Sequence, residues 1–177
     1  DNEICAGECV FINNASINGS FYQWTFEGGD PPASYLAFPG DVCFDNEGTF
    51  TITLVAGNNY GTDTITSQIL VNPSPSVQTS DDQVIYSSHE TQIEAVSSDP
   101  NVTYIWSPTD WLDCPDCPST TVAPEDTIIY VVTVTNEYGC SDSSGVLIEV
   151  EYIEEIGVPS AFSPNGDERN DVLYVQG

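Results

Sequence analysis

The stretch GTFTITLVAGNNYG, residues 48–61, alternates apolar and polar side chains and ends in a turn rich in Gly and Asn. Alternation with a period of two residues is the pattern of a β-strand with one buried face. A related stretch, TIIYVVTVTNEYG, occupies residues 127–139 and ends in the same Asn-x-Tyr-Gly motif. The two stretches therefore predict two copies of one β-rich unit.

A second pair of matching segments precedes these strands, YQWTF at residues 22–26 and YIWSP at residues 104–108. Alternation predicts that the tryptophan of each segment points inward between the two sheets and packs on the apolar side of the long strand, which is expected to face it from the other sheet. The predicted core aromatic and apolar residues are Trp24, Phe26, Phe50, Leu54, Trp106 and Tyr130.

The remaining sequence consists of short alternating runs bounded by Gly, Pro, Asn and Asp, the pattern of an all-β sandwich. The segment NPSP, residues 72–75, predicts a short, semi-rigid linker because proline fixes φ and donates no hydrogen bond. We expect an all-β chain of two tandem β-sandwiches, residues 1–73 and 76–151, followed at residues 152–177 by the start of a third β module.

The charge is strongly negative, with 28 acidic residues against Arg169 as the single Lys or Arg and a net charge of −27. Binding to nucleic acid or anionic lipid requires many basic residues, so both classes of partner are excluded. No apolar run reaches the roughly 20 residues of a membrane-spanning helix, and we expect no membrane insertion.

Catalysis finds no support in the sequence. Nucleophilic catalysis needs a base beside its nucleophile, and the only histidine, His89, lies in a polar run that predicts a loop. We therefore expect a non-catalytic chain without a cofactor.

Two sets of motifs carry a resemblance to known families. The motifs CAGECV (5–10), YQWTFEGG (22–29), VCF (42–44) and GTFTITL (48–54) make the first repeat similar to a PKD domain of Bacteroidetes surface proteins. The motifs WSP (106–108), CPDCP (114–118) and YGC (138–140) make the second similar to the Ig-like repeats that accompany PKD modules. This resemblance implies Ig-like/PKD sandwiches.

The segment VPSAFSPNGDERNDVLY, residues 158–174, is similar to the opening of the gliding-motility-associated C-terminal domain. That resemblance implies export by type IX secretion (type B signal), with the complete C-terminal domain as the part that the machinery recognises. Asn165, Asp167 and Asp171 fit a tight turn whose side chains cap their own backbone, with a Ca²⁺ loop as the less favoured alternative.

Six cysteines, three per half, predict one disulfide in each sandwich and an unpaired thiol in each. If Val10 and Val42 face the core, Cys9 and Cys43 both face outward on neighbouring strands, which favours a Cys9–Cys43 bridge. Cys5 is then spare or competes for Cys43. Cys114 and Cys117 can close a small loop, with Cys140 as the rival partner and a zinc site as the disfavoured alternative.

Three further residues are candidates for surface roles. Thr64 and Thr127 each follow an Asp and precede an Ile, a short acceptor motif for O-glycosylation in Bacteroidetes proteins of this type. Trp111 lies in a loop beside the CPDC motif and is a candidate exposed contact residue.

These observations predict a structural or adhesive segment of an extracellular or cell-surface protein, a stalk or filament of an adhesin related to gliding. Its expected partners are neighbouring repeats of the chain, further copies in an oligomer or filament, and the type IX machinery. The alternatives are accessory modules of a secreted multidomain enzyme, or a carbohydrate-binding module that uses Trp111.

Overall fold

A computed structural model describes residues 2–152, which contain fourteen strands and no helix. The all-β class predicted from the alternation is confirmed. Among these residues no helix is long and apolar enough to cross a membrane. The predicted third module, residues 152–177, lies outside the described residues except for Tyr152.

Seven strands build the first sandwich. In chain order they are β1 (Glu3–Cys5), β2 (Glu8–Ile12), β3 (Phe21–Phe26), β4 (Ala33–Ser34), β5 (Gly40–Phe44), β6 (Gly48–Asn58) and β7 (Gly61–Asn72). One sheet has the order β1-β7-β6-β3-β4, and a sheet of two strands, β2 and β5, covers it. All pairs are antiparallel except β1 with β7, which run parallel.

Seven more strands build the second sandwich. They are β8 (Val77–Thr79), β9 (Gln83–Tyr86), β10 (Thr91–Ser97), β11 (Thr103–Ser107), β12 (Ser119–Val122), β13 (Ile128–Thr135) and β14 (Ser141–Glu151). One sheet has the order β11-β13-β14-β9, and the other has the order β12-β10-β8. The strand β9 runs parallel to β14, as β1 does to β7. The repeat seen in the sequence is thus a repeat of topology.

Each sandwich has its own apolar core, and the matching tryptophan of each repeat lies inside it. Trp24 is opposite Leu54 in the β3–β6 ladder, and Trp106 is opposite Val132 in the β11–β13 ladder. Their side chains are 5% and 0% exposed. Each long strand is therefore the lateral neighbour of its tryptophan in one sheet, and the prediction that it faces the tryptophan from the other sheet is wrong.

The other predicted core residues are buried to different degrees. Phe26, Leu54 and Tyr130 are buried, whereas Phe50 is only half-buried. The Tyr130 hydroxyl donates a hydrogen bond of 2.8 Å to the carbonyl oxygen of Asp110. Burial first, and then the nearby Asp110 carboxylate, raise the pKa of Tyr130 above its usual value.

The Glu-Gly-Gly turn after β3 is required by packing. Gly28 has a φ of +67°, and a Cβ atom there would overlap the ring of Phe50. Only glycine adopts this backbone conformation without strain and leaves space for the ring.

Candidate functional site at the junction of the two sandwiches

The connection between the sandwiches is short and is bound on both sides. β7 ends at Asn72 and β8 begins at Val77. On the first side, the hydroxyl of Ser74 donates to the carbonyl of Ala6 at 2.8 Å. On the second side, Val77 N donates to a carboxylate oxygen of Asp142 at 2.8 Å. The predicted short linker is therefore held by hydrogen bonds at both of its ends.

A disulfide crosses the junction from Cys5 to Cys140, two residues separated by 135 positions in the sequence. Cys5 ends β1 in the first sandwich, and Cys140 lies between β13 and β14 in the second. Their Cα atoms are 5.6 Å apart. This bond makes the two sandwiches one covalently closed unit.

Asn136 is the polar centre of the same junction and is 7% exposed. Its side-chain nitrogen donates to the carbonyl of Pro73 in the linker at 2.8 Å. Its side-chain oxygen accepts from the backbone of Tyr138 at 3.1 Å and of Cys140 at 3.0 Å. One side chain thus fixes both the turn that presents Cys140 and the linker beside it.

The prediction of an unpaired cysteine in each half is wrong. Cys5 and Cys140, taken as spare or as rivals for other pairs, are bonded to each other. Each lies at the end of its sandwich that faces the other, so the bridge forms between the sandwiches rather than inside one. All six cysteines lie within the described residues, and none is free.

The other two disulfides are the pairs that were favoured in the sequence analysis. Cys9 is opposite Cys43 in the β2–β5 ladder and is bonded to it. Cys114 is bonded to Cys117 in the loop between β11 and β12. Because those two sulfur atoms are bonded to each other, they are not free thiolates for zinc, although Asp116 lies beside them.

The predicted surface residues lie apart from the junction. Thr64 is exposed on β7, and Thr127 is exposed just before β13, where its hydroxyl accepts a hydrogen bond from Val150 N at 3.0 Å. Trp111 is 43% exposed. His89 is exposed in the loop after β9. The calcium candidates Asn165, Asp167 and Asp171 lie outside the described residues.

Asn136 was not singled out by the sequence, although a signal for it was present. The Asn-x-Tyr-Gly motif recurs at Asn58 and Asn136, and in both copies the Asn oxygen accepts from the Tyr backbone two residues later. The copies differ in what the nitrogen binds, because Asn58 donates to Asn18 within its own sandwich. The repeated motif therefore indicated the turn but not the contact across the junction.

Replacing Asn136 by Asp tests this contact. The carboxylate is isosteric but cannot donate to Pro73, and it would place a buried negative charge against a carbonyl oxygen. We expect a loss of about 2–4 kcal/mol in the free energy of unfolding, measured by urea denaturation at neutral pH. Asn58→Asp is the matched control and should cost about 1 kcal/mol, since its hydrogen bond is solvent-exposed. Equal losses in the two variants would contradict a special role for Asn136.

Comparisons with known proteins give structural likeness only. The sequence matches no family profile and no curated protein. Extracellular domains 3–5 of Drosophila OTK match with a TM-score of 0.43 and 14% identity, over 84% of this chain and 57% of that one. The N-terminal four Ig domains of Dscam1 isoform 1.9 match with a TM-score of 0.39 and 12% identity, over 84% and 42%.

Fibronectin(III)-like modules of Clostridium thermocellum CbhA match with a TM-score of 0.37 and 16% identity, over 86% of this chain and 92% of that one. The chain therefore spans about two fifths of the Dscam1 structure and somewhat more than half of the OTK structure. No enzyme family is indicated by these matches. No function follows from likeness at this level.

Proposed function

We propose that this chain is a non-catalytic structural segment of an extracellular surface protein, a spacer that holds two sandwiches in a fixed relative orientation. The observation that carries the proposal is the Cys5–Cys140 disulfide across the junction. A flexible tether between two independent domains would need no such bond. Because Asn136 and the linker add hydrogen bonds beside it, the junction is fixed at several points.

Composition supports an extracellular location for this spacer. Disulfides persist in oxidising compartments, and all six cysteines of the chain are paired. A net charge of −27 keeps such a surface hydrated and soluble. Delivery by type IX secretion and a role in adhesion or gliding rest on the resemblance of residues 158–174 and complete the proposal.

Rotational diffusion measured by ¹⁵N relaxation tests the fixed orientation. In the oxidised protein, amides of both sandwiches should report one common tumbling time, because the fixed junction makes the two sandwiches rotate as one body. In the double variant Cys5→Ser/Cys140→Ser, the two sandwiches should tumble with shorter and different times. Independent tumbling of the sandwiches in the oxidised protein would refute the proposed spacer function.

A second candidate function is binding of carbohydrate at Trp111. Its ring is 43% exposed and its backbone has a φ of 57°, a conformation that a bulky side chain rarely adopts. Such unfavourable conformations concentrate at functional sites. Glycan-array binding that disappears in Trp111→Ala would support this function, and an array without any bound glycan would remove it.

A further inference from the structure

The loop between β4 and β5 of the first sandwich exposes three large apolar side chains, Tyr35, Leu36 and Phe38. Tyr35 is 74% exposed. Together with Phe21, the first residue of β3, Tyr35 and Leu36 line a groove of about 470 Å³. Single exposed apolar residues are ordinary on a protein surface, whereas several that share one groove are typical of a binding site.

Hydrogen bonds from the body of the sandwich hold the backbone of this loop. The ring nitrogen of the buried Trp24 donates to the carbonyl of Leu36 at 3.1 Å. The side-chain nitrogen of Asn14 donates to the carbonyl of Ala37 at 2.8 Å, and Leu36 N donates to the hydroxyl of Ser34 at 3.3 Å. A loop whose backbone is already fixed loses little conformational entropy when its side chains bind a ligand.

The ring of Phe21 is also held in place. Phe21 is opposite Gly57 in the β3–β6 ladder, and a Cβ atom at Gly57 would lie 2.6 Å from the Cζ atom of this ring. The ring therefore packs directly on the backbone of β6, while Phe21 as a whole stays 46% exposed. Two aromatic side chains, Phe21 and Tyr35, thus border the groove from rigid parts of the sandwich.

The groove and the sheet face beside it carry no charge. None of the described residues that line the groove is acidic or basic, although the chain has 28 acidic residues. The uncharged surface continues on the same face of the sheet, where Thr25, Thr53 and Thr66 lie side by side on β3, β6 and β7. A cationic ligand would find no carboxylate here, and the net charge of −27 repels an anionic one. The surface therefore suits a neutral ligand.

The chemistry of the groove favours a sugar over a peptide strand. The carbonyls of Leu36 and Ala37 and the amide of Leu36 are already hydrogen-bonded to side chains, so this loop offers no free edge to an added strand. Recognition therefore uses side chains. Besides its aromatic rings, the lining includes the exposed amide of Gln23 and the hydroxyl of Ser20. A sugar ring has an apolar C–H face and a rim of hydroxyl groups, which match this combination.

We propose that the groove at Phe21 and Tyr35 binds a neutral polysaccharide. Sugar rings stack on these two aromatic side chains, and sugar hydroxyls form hydrogen bonds with the amide of Gln23. The uncharged row of threonines beyond Gln23 lets a polymer longer than the groove lie across the sheet without meeting a carboxylate. This site belongs to the first sandwich and is distinct from Trp111, which lies in the second. It adds a ligand to the spacer and does not depend on the Cys5–Cys140 bond.

Native gel electrophoresis in gels that contain polysaccharide tests the site. The probes are three neutral polymers, hydroxyethylcellulose, galactomannan and laminarin. The complete chain should migrate more slowly in at least one of these gels than in a gel without polymer. Carboxymethylcellulose, an anionic derivative of cellulose, should not retard the chain, because like charges repel. Stronger retardation by carboxymethylcellulose than by the neutral polymers would overturn the proposal.

Variants of single aromatic residues locate the binding. Tyr35→Ala should weaken binding by about tenfold or more, since a few aromatic anchors supply most of the affinity of such sites. Tyr35→Phe retains the ring and should keep most of the binding. Tyr60→Ala is the matched control, because this tyrosine of the same sandwich is 98% exposed in the turn between β6 and β7 and lies outside the groove. It should bind as the unaltered chain does.

Because Tyr35 is largely exposed, its variants should unfold at the same urea concentration as the unaltered chain, which shows that a loss of binding is local. Retardation by none of the three neutral polymers would overturn the proposal, and so would equal binding by Tyr35→Ala and the unaltered chain. Loss of binding in Trp111→Ala but not in Tyr35→Ala would overturn it in favour of a site in the second sandwich. The spacer function is judged separately, by the tumbling times of the two sandwiches.

Discussion

Loss of the Cys5–Cys140 disulfide will let a single molecule, pulled between its ends, lengthen by roughly 330 Å more than the oxidised protein. The bond closes 135 positions, of which Cys9–Cys43 still holds 34 and Cys114–Cys117 holds 3. The remaining chain extends at about 3.4 Å per residue. In the intact protein, tension passes from Cys5 to Cys140 and then along β14, a strand that is already extended.

Force spectroscopy measures this difference directly. The double variant Cys5→Ser/Cys140→Ser should show the long unfolding steps. The matched control is Cys114→Ser/Cys117→Ser, which should add no length because both residues lie inside the segment that the intact Cys5–Cys140 bond closes. Unfolding steps above 100 Å in the oxidised protein, before rupture of any covalent bond, would show that force does not follow this path.

Replacing Trp106 by Ala should cost about 3–5 kcal/mol of the free energy of unfolding and abolish the fold of the second sandwich under mild denaturant. The side chain is 0% exposed, and its ring nitrogen donates to the carbonyl of Cys117 at 2.9 Å. The variant thus removes a large packed ring and leaves a half-buried carbonyl without its donor. Urea denaturation followed by near-UV circular dichroism measures the loss.

Trp111→Ala serves as the control for this experiment, because that ring is 43% exposed. We expect its cost to stay within about 0.5 kcal/mol, the usual range for surface substitutions. If Trp111→Ala lowers the free energy of unfolding as much as Trp106→Ala does, the exposed fraction of a ring does not predict how much that ring stabilises the fold.

Local periodicity was sufficient to predict the faces of the long strands. The alternation in β6 and β13 placed Phe50, Leu54 and Tyr130 on the core side, and the parity of β2 and β5 selected Cys9 and Cys43 as a pair. Both inferences use only the rule that side chains alternate across a strand. No knowledge of distant contacts was needed for them.

The short strands were missed because their sequences carry little apolar signal. β8 is VQT and β12 is STTV, and each is held in place by neighbouring strands rather than by its own composition. The Cys5–Cys140 bond was missed for a related reason. Its partners belong to different sandwiches, so their proximity depends on how two folded ends meet, and strand parity contains no information on this.

The 135 positions between Cys5 and Cys140 also set an order of events in the making of the molecule. Synthesis runs from the N-terminus, so Cys5, Cys9 and Cys43 are complete long before Cys140 exists. During that interval Cys5, Cys9 and Cys43 are all present, and Cys9–Cys43 is the only correct pair among them. Thiol–disulfide exchange determines whether Cys43 bonds to Cys9 or to Cys5. The Cys5–Cys140 bond is therefore the last of the three disulfides whose partners are both present, and a chain interrupted before Cys140 leaves Cys5 without its partner.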